Sequence, residues 1–193
     1  MSRSETSNEL TAAVTRVLRE RRTVHEFLPA PPPREALLRA IELARWAPNH
    51  RLTEPWRFYL LGRETAAAIT LLNAEAVAAK HNEAKAQEKL ARWQSIPGWM
   101  VVTCEKSEDG VQALEDYGAC CCAIQNLTLA LWSEGIGVKW STGAVTRDPA
   151  FYDLIWVDPS REQVVAMLWY GYPAAVPAMD RRKSVSELIV NLP

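Results

Sequence analysis

The residues best suited to hold a charged small molecule stand in four places. Arg21-Arg22-Thr23 offers two guanidiniums and a hydroxyl, donors that suit a phosphate. Asn49-His50-Arg51-Leu52-Thr53-Glu54 is a mainly polar run held between Pro48 and Pro55. Gly135-Ile136-Gly137-Val138-Lys139-Trp140-Ser141-Thr142-Gly143 carries an indole and two hydroxyls into a turn. Gly171-Tyr172-Pro173 is followed by Arg181-Arg182-Lys183, a late basic group. Plainer readings use the same residues. The first group is also a solvated basic helix end, favourable to the helix dipole. The second is also an ordinary helix-to-strand turn.

The missing groups narrow the chemistry further. Three histidines, His25, His50 and His81, limit imidazole-based mechanisms. No Gly-x-Ser-x-Gly elbow, His-Glu-x-x-His helix or Walker-type loop occurs. Cys120-Cys121-Cys122 cannot converge on one metal from a helix, where neighbours point about 100° apart, and no Cys-x-x-Cys pair exists. With Cys104 they read as small buried thiols. The side chains alone hold no reactive constellation, so an enzyme built on them must borrow its chemistry from a cofactor.

The elements that must position these groups follow from period and punctuation. Thr6-Ser7-Asn8-Glu9 has capping-box spacing ahead of Leu10, Val14, Val17 and Leu18, a helix ending near Arg21. Pro33 suits the first turn of a second helix, whose apolar face is Leu37, Leu38, Ile41 and Leu43 or Ala44. Pro48 cannot lie deep in a helix, and Pro55 turns Glu54 away from helical dihedrals. The polar run is therefore anchored at both ends, and Arg57–Leu61 leaves it as a strand. Residues 64–93 are helical with a break at His81-Asn82, and Lys80–Arg92 reads as a solvated face. Trp99–Cys104 is a strand. Val111–Glu134 is a long core helix closed by Gly135. Val138–Ser141 is a short strand, Asp148-Pro149 opens a short helix through Ile155, and Gln163–Tyr170 is the last strand.

Composition sets the outer limits. With 193 residues the chain is long enough for one domain, 1–193, and it carries 22 basic against 23 acidic residues. A net charge of −1 suggests no bulk partner such as DNA or a membrane surface. No apolar run spans a bilayer and the N-terminus lacks a signal core, so a cytoplasmic location is expected.

Taken in order, the four stretches, and above all APNHRLTEPWRFYLL, resemble the FMN-dependent nitroreductase family, especially its compact branch. The resemblance implies an α+β fold, a mixed but mainly antiparallel sheet packed between helices, in an intertwined homodimer. It implies FMN as cofactor and NAD(P)H as co-substrate. Hydride would pass by a ping-pong sequence through flavin N5 to a nitroaromatic, quinone or enone. By matching position, Arg21, Arg22, Thr23 and Arg182 hold the phosphate end, and Trp140, Ser141, Thr142, Gly143 and Ala144 lie against the ring. His50 and Glu54 reach the cofactor held mainly by the other subunit.

Three positions depart from the family. Leu52 replaces an asparagine, Glu54 a frequent glutamine, and His25 an arginine or lysine. Glu54 near a reduced flavin is costly unless it pairs with Arg51 or Arg57, or accepts a flavin hydrogen bond. Alternatives are a dehalogenating or flavin-fragmenting member of the same superfamily, and a non-catalytic flavin-binding or helical interaction protein.

Overall fold

The computed structural model describes residues 3–178 and 182–192; Arg181 lies outside them. Helix α1 spans Arg3–Glu20, so Thr6–Glu9 lie inside it rather than capping it. Its expected apolar face is present but uncovered by this chain: Leu10, Val14 and Leu18 are exposed.

Helix α2, Arg34–Ala44, starts after Pro33 as N-cap. The buried face is Ala36, Leu37, Ala40 and Ala44, while Leu38 and Leu43 point to solvent. The expected leucine face is thus corrected by about one position. Leu37 and Ala44 are buried as expected, and Ala36 and Ala40 complete the face.

Four antiparallel strands form one sheet in the order β1-β2-β4-β3. They are β1 Trp56–Leu60, β2 Gly98–Glu105, β3 Gly137–Ser141 and β4 Glu162–Gly171. A parallel bridge from Thr23 to Val138 adds the mixed character at the free edge of β3. Period-two alternation sends Met100, Val102 and Cys104 of β2 to one face with Ala166 and Leu168 of β4. Trp99, Val101, Met167 and Trp169 go to the other. Both faces are covered, which is why these strands read as unbroken apolar runs.

On the first face lie α2 and α5, Gly110–Ser133, whose Ile124, Leu127 and Leu131 are fully buried. On the second lie α3, Arg63–Lys80, α4, Glu83–Gln94, and α6, Pro149–Leu154. Trp93, Trp99 and Trp169 meet there edge to face at 5.1–5.5 Å. The break between α3 and α4 falls at His81-Asn82, where the Asn82 side chain accepts from Lys85 N. Gly135 closes α5 at φ 78°, a conformation that favours glycine. Of the cysteines, Cys104 and Cys120 are buried as expected, but Cys122 is exposed because the triplet winds around α5.

Candidate functional site

Two glycines set the position of the arginine motif. Gly137 and Gly171 are cross-strand partners at the end of the sheet. A methyl group at Gly137 would lie 2.3 Å from Val24 Cγ2, and one at Gly171 would lie 2.6 Å from Pro97 Cγ. The missing side chains let residues 21–28 lie along β3. Val24 N donates to Val138 O at 3.2 Å and Leu28 N to Tyr172 O at 2.8 Å. Val24 is fully buried, so the residues on either side of it are held in place.

Arg21 therefore leaves α1 at a defined point, half-buried, with Arg22 and Arg182 nearby. Burial first, then the Arg22 and Arg182 guanidiniums, push Arg21 below the usual arginine range. Among the described residues none of the three is in a salt bridge. Arg22 turns back to donate to Arg19 O at 2.6 Å and Arg21 O at 2.9 Å, so it also caps α1. Arg21 with Arg182 nearby, and Arg22 adding charge from its capping position, match the charge of a phosphate dianion.

Trp140 and Ser141 end β3, and Trp140 is 38% exposed, unusual for an indole in a strand. Thr142 and Gly143 form the turn, and Ala144 begins a short 3-10 segment through Arg147. Buried Thr146 anchors that turn: its backbone N and its Oγ1 both donate to Gly143 O, at 3.0 and 2.9 Å. The edge strand thus presents an aromatic side chain and a fixed turn at its end, while the parallel Thr23–Val138 bridge sets the arginines toward its start.

His50 and Glu54 are elsewhere. Their loop enters β1, at the opposite edge of the sheet from β3. Three strand spacings separate the two edges, about 14 Å. Along the strands, Trp56 stands in the row of Gln163 and Ser141 in that of Met167. That adds about 13 Å. The chain does not bring these two residues to the arginines.

The loop is nevertheless built rather than slack. Arg51, Leu52 and Glu54 all have positive φ, at 60°, 52° and 45°. Such backbone costs of order 1–3 kcal/mol per residue unless its surroundings impose it. Here they do. Asp116 of α5, 4% exposed, accepts from Thr53 Oγ1 at 2.5 Å, Asn49 Nδ2 at 3.4 Å and Gln112 Nε2 at 2.9 Å. Asn49 Oδ1 in turn accepts from Glu54 N at 2.7 Å. Sequence reasoning missed Asp116, which sits on a helix that reads as an apolar core element.

The partner of Glu54 also differs from expectation. Its carboxylate lies 3.9 Å from Arg45, the last residue before the loop, and not beside Arg51 or Arg57. Arg57 instead reaches Glu105 across the β1–β2 pair and donates to Glu54 O.

A cleft of about 530 Å³ between β1, α3 and α4 contains none of the expected residues. Tyr170, Trp99 and Phe27 line it, with Arg63, Thr70, Gln94 and Ser95. No helix among the described residues is long and apolar enough to cross a membrane, and no three of their acidic, histidine or cysteine side chains are placed to hold a metal ion.

With this geometry in place, comparison with known proteins is informative. The Nitroreductase family profile matches residues 18–172, from the last turn of α1 to the residue after β4. The chain belongs to the Nitroreductase family. These are oxidoreductases, and the relatives agree. The Bacillus subtilis protein named "Putative NAD(P)H nitroreductase YfhC" is 30% identical over 175 residues, covering 89% of this chain and 90% of its own length. A nitroreductase-like protein of Bacillus cereus superposes with a TM-score of 0.81 at 28% identity, over 93% of this chain and 95% of its own. The FMN-dependent nitroreductase NfnB of Mycobacterium smegmatis, solved with NADPH, shares the fold with a TM-score of 0.75. It is 17% identical, over 95% of this chain and all of its own. The α+β architecture expected from the motifs is the family's fold.

Proposed function

We propose that this nitroreductase-family protein is an FMN-dependent oxidoreductase that takes electrons from NAD(P)H, works by a ping-pong sequence, and acts as a homodimer with shared sites. The observation that carries the reading is the placing of half-buried Arg21 with Arg22 and Arg182 nearby, none of them in a salt bridge among the described residues, on the segment that pairs with β3, the strand that ends in exposed Trp140 and Ser141.

Arg21 and Arg182 hold the phosphate, with Arg22 adding charge from its capping position and Thr23 a hydroxyl. Trp140, Ser141, Thr142, Gly143 and Ala144 provide the surface for the ring. Bound FMN supplies the hydride relay from NAD(P)H to an electron-poor acceptor such as a nitroaromatic, quinone or enone. The protein's own part is orientation, exclusion of water and charge, since no side chain here is placed as a proton-transferring base.

His50 and Glu54 complete the site from the second subunit. Two facts support the dimer. The chain exposes 12532 Å², against about 9,200 Å² for a compact monomer of its mass. Leu10, Val14 and Leu18 of α1, Val111 and Leu114 of α5, and Leu188 and Val190 of the tail are all more than half exposed or at that level. Apolar surface on that scale marks an interface.

The test is direct. Purified protein should carry FMN by mass spectrometry, and its yellow colour should bleach anaerobically with NADPH or NADH and return on adding a quinone. Release of FAD, or no flavin uptake after reconstitution, would overturn the assignment.

A further inference from the structure

A second group of basic side chains lies beyond the arginine motif. His25 follows buried Val24 on the segment beside β3, and Arg92 comes from the last turn of α4. The Arg92 guanidinium stands 3.5 Å from His25 Nδ1. Lys139 of β3 is placed over the Trp169 ring, its Nζ 4.5 Å from the centroid. Trp169 is buried, and its Nε1 has no acceptor among the described residues, which leaves a donor unsatisfied in the same cluster.

Beside these groups runs a cleft of about 510 Å³. His25 and Arg92 line it together with Phe27, Ile96, Ser95 and Glu26. Among the described residues Glu26 is the only acid in that lining, and Arg92 in it and Lys139 close by outweigh it. Among the described residues neither cation is in a salt bridge.

Two cations and an imidazole drawn together from three separate elements favour an anion to meet them. Burial first, then Lys139 and Arg92, hold His25 below the usual imidazole range, with Glu26 opposing. Burial and then Arg92 and Lys89 likewise push Lys139 down. An incoming carboxylate or phosphate relieves both, and Phe27 and Ile96 provide an apolar wall for the body that bears it.

We propose that His25, Arg92 and Lys139 form a recognition site for one anionic group, carboxylate or phosphate, borne on a flat apolar body. The body's identity rests on the oxidoreductase reading above. It is either an acceptor carrying a carboxylate or the nicotinamide dinucleotide carrying its extra phosphate.

The experiment uses pairs whose members differ in one anionic group. Calorimetry on FMN-loaded protein compares 4-nitrobenzoate with neutral 4-nitrobenzamide, and stopped-flow half-saturation compares NADPH with NADH. Wild type should prefer the anionic member of one pair by about tenfold, the scale of one charge-assisted hydrogen bond. Arg92→Gln and Lys139→Gln should each remove most of that preference and leave the neutral member within about twofold. Loss confined to 4-nitrobenzoate assigns the site to the acceptor, and loss confined to NADPH assigns it to the dinucleotide. No charge preference in either pair, or equal loss for both members, overturns the proposal. If the protein takes up no FMN, the oxidoreductase reading fails, and the 4-nitrobenzoate titration on flavin-free protein still decides the anion site.

Discussion

Removing the Arg21 side chain should affect the loaded and empty protein in opposite directions. Arg21 is half-buried at the exit of α1, with Arg22 and Arg182 close enough to lower its pKa. If a phosphate dianion sits among them, each guanidinium contributes a charge-assisted hydrogen bond, roughly 1.5–3 kcal/mol. Half-buried Arg21 belongs near the top of that range. Exposed Arg182 belongs near the bottom, because solvent and salt screen it. FMN affinity should therefore fall about a hundredfold in Arg21→Ala and about tenfold in Arg182→Ala. The empty protein should respond the other way. Deleting one of three mutually repelling cations removes a strain, so apo stability stays level or rises by a few tenths of a kcal/mol. Quenching of flavin fluorescence gives the affinity, and urea unfolding of apo-protein gives the stability. Lys106→Ala, in the turn after β2, is the control. Unchanged FMN affinity would remove Arg21 from the site. An apo destabilisation as large as the affinity loss would make it a structural arginine instead.

Gly137→Ala forces a methyl to 2.3 Å from Val24, so it should cost about 1–3 kcal/mol in urea unfolding and also weaken FMN binding, because the arginine segment loses its seat. Asp116→Ala strands the donors of Thr53, Asn49 and Gln112; thermal or urea unfolding should reveal a loss of about 1–3 kcal/mol, and hydrogen exchange should rise in residues 49–54. The sign of the His25 effect is set by its depressed pKa: it is neutral at pH 7, and the folded state resists protonating it, so its stability contribution is lost as pH falls below about 6.5. An NMR titration should find the His25 midpoint below that value, and saturating 4-nitrobenzoate should raise it. Co-expressed Arg21→Ala and inactivating His50 chains should recover about half the wild-type flavin content in the mixed dimer, since one of two composite sites then carries both lesions and the other neither; no recovery would place Arg21 and His50 in the same subunit's site.

Local chemistry made most of the chain legible before any coordinates. Proline and glycine punctuation, with periods of 3.6 and 2, placed the break at His81-Asn82, the cap at Gly135 and the four strands to within a residue or two. Those signals depend on residues a few positions apart, so the sequence alone determines them. The motif order around Arg21, Trp56, Trp140 and Arg182 likewise pointed to the family, because each motif is a short run of neighbours. The remaining features depend on residues far apart in the chain. Arg39 pairs with Glu134 and Asp116 meets Thr53, and no spacing rule announces either contact. Glu54 lay within reach of Arg45, Arg51 and Arg57, but the positive φ values of the loop turned it to Arg45. Helix α2 showed leucines that read as its buried face, yet packing kept Leu37 with three alanines inside and left Leu38 and Leu43 exposed. Arg92 looked like part of a solvated helix until the packing of α4 on the tryptophan cluster carried it to His25. In each case the energy comes from burying or pairing groups that only the completed sheet brings together.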